Sequence, residues 1–172
     1  MSIDLSRVGA WYHNYIKQIP ETDIIAAFNN KEYNLTSYFK SIPIEKYEYR
    51  YAEGKWTIKE VLQHIIDAER IFVYRALRFA RKDSIPLPGF DENMYADNSK
   101  ANVRNWDDLV KEFDLTRQSS ELFFRSLDEE QLEADGISSE SPIYVRALGY
   151  ITLGHAMHHR RILNERYNAN AR

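Results

Sequence analysis

The chain has 172 residues, 44% apolar and 28% charged, a mixture that predicts one soluble globular domain over residues 1–172 with no linker-like tract inside it. A formal net charge of -3 gives no field able to displace counterions from phosphates, so no nucleic-acid partner is expected. The lack of cysteine excludes disulfides, thiolate metal sites and a cysteine nucleophile, and any thiol chemistry must draw its thiol from outside.

The stretch MSIDLSRVGAWYHNYIKQIP lacks the basic start, apolar run and cleavage site of a signal peptide, and no window approaches the roughly 18 apolar residues of a membrane span. A cytoplasmic protein without a membrane partner is expected. Helical periodicity dominates from there on, and no apolar/polar alternation is long enough to argue for a strand. The first helix is predicted over about 21–41, with Ile24, Phe28, Leu35, Tyr38, Phe39 and Ile42 on its apolar side, and it stops before Pro43. The second, over about 57–83, opens with Thr57 and Glu60 in capping-box spacing, and Ile58, Val61, Leu62, Ile65, Phe72, Ala76 and Phe79 share one face. A crossover of about twenty residues follows, SIPLPGFDENMYADNSKANVRN, long enough to roof a pocket. The third helix is predicted over about 106–127, and after the turn-rich EADGISSES the fourth runs over about 144–167. Four long helices with one long crossover predict an all-α bundle, an architecture that builds metal sites from side chains of facing helices.

Three of the five histidines lie in GHAMHH. His155 and His159, four apart, sit about 40° apart on the stripe of Leu148, Ile151 and Ile162, and so converge inward, whereas His158 is turned to the edge. The position after His155 is Ala156 rather than the glutamate of a zinc protease, so that mechanism is excluded. A third imidazole is available from His64, at the margin of the apolar face of the second helix. Three histidines with open positions are the donor set of a catalytic rather than a structural zinc site. A di-iron carboxylate centre is excluded because it needs two inward E-x-x-H motifs. Asp67 turns to the polar side. Glu69 falls inside the apolar face, which points either to a buried ion pair with Arg75 or Arg146 or to a carboxylate that orients a ligand or relays a proton. The basic run HHRRILNER is interrupted by Glu165, and Arg160 and Arg161 lie outward as a solvated face.

The blocks GKWTIKEVLQHIIDAERIFVYRALRFARKDSIPLPGFDENMYA and VRALGYITLGHAMHHRRILNERY resemble the DinB-like (DinB/YfiT) family of metal-dependent enzymes. The resemblance implies an up-down-down-up four-helix bundle, a homodimer, and one divalent ion, zinc or nickel, on three histidines that match His64, His155 and His159. It further implies transfer of a low-molecular-weight thiol onto a small-molecule substrate, with hydrolysis as the alternative reaction. Glu69 is the candidate catalytic carboxylate, and Phe90, Asp91 and Tyr95 of the crossover are candidates for the substrate pocket. The competing reading is a non-catalytic, stress-associated metal-binding protein in which Asp67, Glu69 or Asp91 closes the fourth position of the ion.

Overall fold

The computed structural model describes residues 3–169 and divides the predicted first helix into short pieces. α1 (His13–Ile16) is followed by α2 (Ile24–Asn29) and α3 (Thr36–Lys40), with a 3-10 turn at Lys31–Tyr33 between the last two. The single helix expected over about 21–41 is thereby corrected, and asparagine is the reason. Asn30 leaves the helical region and its side chain accepts from the Glu32 amide at 3.0 Å, while Asn34 accepts from the Thr36 amide at 3.1 Å. Such local bonds compete with the helical ladder. The apolar stripe survives the break, since Ile24, Phe28, Leu35, Phe39 and Ile42 are buried and Tyr38 is half-buried.

α4 (Ile58–Ala80) begins where the sequence predicts. The Thr57 hydroxyl accepts from the Glu60 amide at 3.1 Å, and the Glu60 carboxylate accepts from the Thr57 amide at 2.7 Å. The crossover carries a helix of its own, α5 (Glu92–Asn98), before α6 (Trp106–Arg125) and α7 (Glu129–Glu133). A hairpin then intervenes, β1 (Asp135–Ser138) and β2 (Ser141–Tyr144), which the sequence reading did not expect. Its strands are too short to show alternation. Its two-residue turn places Ser139 and Glu140 at φ 51° and 62°, a conformation that usually advertises itself by Asn-Gly. The crossover is pinned to this hairpin, with the Leu87 amide donating to Ile137 O and the Ser139 amide to Leu87 O. The last helix, α8 (Val145–Tyr167), matches the predicted range.

Two apolar cores set the topology. In one, Leu62 and Ile66 from the first half of α4 meet Leu109 and Phe113 from the first half of α6, Phe39 of α3 and Leu163 from the end of α8. In the other, Phe72 and Phe79 from the second half of α4 meet Phe124 at the end of α6, Phe28 of α2, and Leu148 and Ile151 from the first half of α8. α4 and α6 are therefore parallel, α8 is antiparallel to both, and α2 to α3 runs against α6. This is the up-down-down-up order, with the segmented α1–α3 as the first limb. The crossover must travel back along α4, whose 23 residues span about 35 Å.

α1 crosses α8 at Gly154, where a Cβ would lie 2.1 Å from the carbonyl oxygen of Tyr15. The obstacle is backbone and cannot swing aside. Gly154→Ala, which would gain up to about 1 kcal/mol of helix propensity in open surroundings, is expected instead to destabilise the protein by about 1–3 kcal/mol. Thermal unfolding measures this, and an unchanged or raised Tm would show that α1 does not seat against α8.

Candidate metal centre

α4 and α8 meet along their length, and the boundary between the two apolar cores falls at the same level on both. On α4 it lies just past His64, between Ile66 and Ala68; on α8 it lies at His155, between Leu153 and Ala156. The antiparallel crossing brings these two imidazoles together, their rings 4.9 Å apart and inclined at 64°, and one helical turn later His159 joins them. The Nε2 atom of His155 is 3.0 Å from that of His64 and 3.1 Å from that of His159. Ligand nitrogens of all three lie within 4.8 Å of one another, a grouping that could hold a metal ion. No other such group occurs among the described residues.

The donor set fits a divalent cation. An imidazole Nε2 carries either one proton or one lone pair, so one directed hydrogen bond satisfies only one of the two contacts that His155 makes. A cation accepts all three lone pairs at once. With bonds of about 2.0–2.1 Å, the edge of a tetrahedral site is about 3.3–3.4 Å, close to the observed separations. Burial keeps the lone pairs free: it lowers the pKa of His64 to about 4. His155 and His159 are held well below the ordinary histidine value by burial and then by the charges of neighbouring histidines. His158 takes no part. It is half-buried at the edge, with its Nδ1 3.4 Å from the Arg161 guanidinium.

A cavity of about 320 Å³ opens on His64 and His155. Its walls are aromatic: Trp11, Tyr12 and Tyr15 come from the N-terminal segment, Phe72 from α4 and Phe90 from the crossover. The Tyr15 ring stands edge-on to His155 at 5.5 Å, in the position that the close approach at Gly154 permits. Burial and the charge of Glu92 raise the Tyr15 pKa, so its hydroxyl stays protonated at neutral pH. Polar groups on the lining are Arg75 of α4, Glu92 of α5 and Ser139 of the hairpin turn. A second cavity, of about 220 Å³, lies on the His159 side and is lined by Tyr51, Lys55, Trp56, Asn93 and Tyr167 among others.

Of the predicted pocket residues, Phe90 lines the histidine cavity. Asp91 instead caps α5, accepting from the Asn93 and Met94 amides, and its neighbour Glu92 reaches the lining. Tyr95 packs on Phe90 at 5.1 Å and lines an adjoining apolar groove. Glu69 is 2% exposed and does not line either cavity. Its expected partners are corrected: the Glu69 carboxylate pairs with Arg117 of α6 at 2.8 Å, whereas Arg146 pairs with Glu129 and Glu133, and Arg75 bonds neutral oxygens. A partner on α6 was hidden because Arg117 falls within the polar text of that helix. Asp67 accepts from Gln63 at 2.9 Å and faces Arg70, outside the histidine group. Trp11, Tyr12 and Tyr15 were not singled out from the sequence, although the aromatic density of AWYHNY was a usable signal.

A family model described as the DinB superfamily matches residues 27–163 of the chain. No curated protein matches the sequence. Among solved structures, YfiT from Bacillus subtilis is similar with a TM-score of 0.63 and 14% identity, over 88% of this chain and 83% of that one. That protein is described as a probable metal-dependent hydrolase with an unusual four-helix bundle topology. At this identity the likeness establishes the fold.

The depressed histidines make the metal-free protein acid-labile. His64 is neutral in the folded state down to about pH 4 but titrates near 6.5 when unfolded, so the unfolded chain binds more protons between those values. Stability is full above about pH 6.5 and is lost as pH falls towards 4, by about 1.4 kcal/mol per unit for one such group. The Tm of chelator-treated protein is expected to fall between pH 7 and 5, and to fall less in His64→Gln; parallel profiles would contradict the buried, neutral state. The Glu69–Arg117 pair gives a second expectation, because Glu69 Oε1 and Arg117 Nε and Nη1 have no hydrogen-bond partner among the described residues. Glu69→Leu, which strands the guanidinium, should cost about 3–5 kcal/mol, and adding Arg117→Met should recover part of it. Denaturant unfolding of the single and double variants measures the cycle, and a neutral single variant would show that the pair is not structural.

Proposed function

This chain belongs to the DinB superfamily, and from that membership together with its three-histidine cavity we propose that it is a metal-dependent hydrolase of a small molecule. The observation that carries the reading is the convergence of three neutral imidazoles, two of which, His64 and His155, open on an aromatic cavity, with no protein carboxylate among the described residues in the same group. An ion stapling the bundle would be expected to have four protein ligands and no adjoining space. The description of YfiT as a probable metal-dependent hydrolase adds support from a protein of the same fold.

The residues that would hold the ion are His64, His155 and His159, each through Nε2. When bound, a divalent ion supplies Lewis acidity, which acidifies water and polarises a substrate oxygen. The remaining roles fall to the cavity walls. Trp11, Tyr12, Phe72 and Phe90 take up apolar substrate surface and exclude bulk water. Tyr15, protonated and edge-on to His155, donates its Oη hydrogen to an oxygen in the cavity. Glu92, exposed at the rim, is the one carboxylate on the lining able to accept a proton.

Transfer of a low-molecular-weight thiol onto an electrophilic substrate is the second reading. The second cavity on the His159 side supports it, since it leaves room for a cosubstrate across the histidines from the first.

Protein purified without a histidine tag is expected to carry about one divalent ion per chain, zinc or nickel, and His155→Ala to lose it. A panel of small nitrophenyl esters, amides and phosphates is expected to show hydrolysis that chelation abolishes and metal restores. Silence across that panel, with metal-dependent conjugation of monochlorobimane once a thiol is added, would replace the hydrolase by the transferase. Full metal occupancy in His155→Ala would overturn both.

A further inference from the structure

Arg75 is a charged side chain that the proposed chemistry leaves without a task. It is 2% exposed and lines the histidine cavity. Among the described residues its three hydrogen bonds all go to neutral oxygens: the Tyr12 hydroxyl at 3.3 Å, the Pro88 carbonyl at 2.9 Å and the Ser139 hydroxyl at 3.3 Å. Among the described residues no carboxylate stands within ion-pair distance of it, whereas the other two buried arginines, Arg117 and Arg146, both have one. A buried guanidinium is costly unless an anion compensates it. Glu92 faces the same cavity, but it is exposed at the rim and makes no bond to Arg75.

The surroundings hold the guanidinium in place. Three separate segments contribute an acceptor each: the N-terminal segment through Tyr12, the crossover through Pro88, and the hairpin turn through Ser139. Ser139 does so from a left-handed backbone conformation at φ 51°, a costly one for a serine, and the pairing with Leu87 fixes it there. Arg75 follows His64 by eleven residues on α4, which returns it to the same side of the helix, on the order of 16 Å further along the axis.

We infer that Arg75 is the anion-binding end of the cavity, and that the substrate carries a carboxylate or a phosphate remote from the bond that reacts. This rests on the reading of the three-histidine cavity as the substrate site. Helical side chains lean towards the helix N-terminus, so the guanidinium reaches back towards His64, and the anion and the reacting bond are separated by roughly 10–16 Å. The planar fork of arginine suits either anion, and aromatic walls between the two ends suit an apolar middle.

The test uses binding to the full chain in chelator, so that the ion itself cannot attract the anion. Two matched pairs are compared by calorimetry: 4-phenylbutyrate against its amide, and phenyl phosphate against phenol. At least one anion is expected to bind about ten-fold or more tightly than its neutral partner, and the larger ratio identifies the anion. Arg75→Gln should bring that ratio near one. Arg75→Lys, which keeps the charge without the fork, should lower it several-fold. Arg81→Gln, at an exposed arginine that lines neither cavity, should leave it intact. Ratios near one in the unmodified chain would overturn the inference, as would a ratio that neither Arg75 variant changes; the Lys variant decides alone if the Gln variant does not fold. An intact ratio in a protein that takes up no metal would overturn the hydrolase and leave the anion site standing.

Discussion

Everything at the centre of this protein follows from burying three imidazoles against one another where α4 crosses α8. Desolvation holds His64, His155 and His159 neutral, and neutral imidazoles can share an apolar environment that three cations could not. The same contact fixes the register of the two helices, because His64 must stand opposite His155 for the Nε2 atoms to meet at 3.0 Å. It also divides the interior, leaving one apolar core above the histidines and one below. Gly154 serves the same contact from outside, by admitting the α1 backbone so close that Tyr15 can lie against His155.

Much of this was legible in the sequence wherever a signal was local and regular. The Thr57–Glu60 box placed the start of α4, and the helical wheel turned His155 and His159 inward while leaving His158 aside. The pairing of His64 with them across ninety-one positions came from its place at the margin of an apolar face together with the family resemblance. Failures share a cause: they turn on partners that sequence proximity does not reveal. Asn30 and Asn34 break a helix whose apolar stripe is otherwise continuous, because their side chains offer the backbone another partner. A hairpin with four-residue strands and a Ser-Glu turn has neither alternation nor glycine to announce it. Glu69 was placed correctly in the apolar face, but its counterion sits on a helix parallel to its own, forty-eight residues away.

The misassigned ion pair is instructive about the cavity. Glu69 and Arg117 neutralise each other between α4 and α6, and Arg146 is neutralised by two glutamates near the hairpin. Arg75, which sequence reasoning had offered to Glu69, is left facing the space in front of the histidines. The walls of that space come partly from α4 itself, through Phe72 and Arg75, and partly from an aromatic N-terminal segment, the crossover and a turn.

The crossover of parallel helices thus acquires a meaning beyond connectivity. A chain that must return the length of α4 before starting α6 passes over the histidines, and there Glu92 faces one cavity while its neighbour Asn93 faces the other. The donors that would hold an ion stand on two long helices, and part of what a substrate would touch, Phe90 and Glu92, stands on a segment fastened at Leu87 and capped at Asp91, beside the aromatic N-terminal segment. Such a division of labour lets the connecting segments drift under selection at little cost to the scaffold, so one bundle can be retuned to new molecules by rewriting the segments that meet over its histidines.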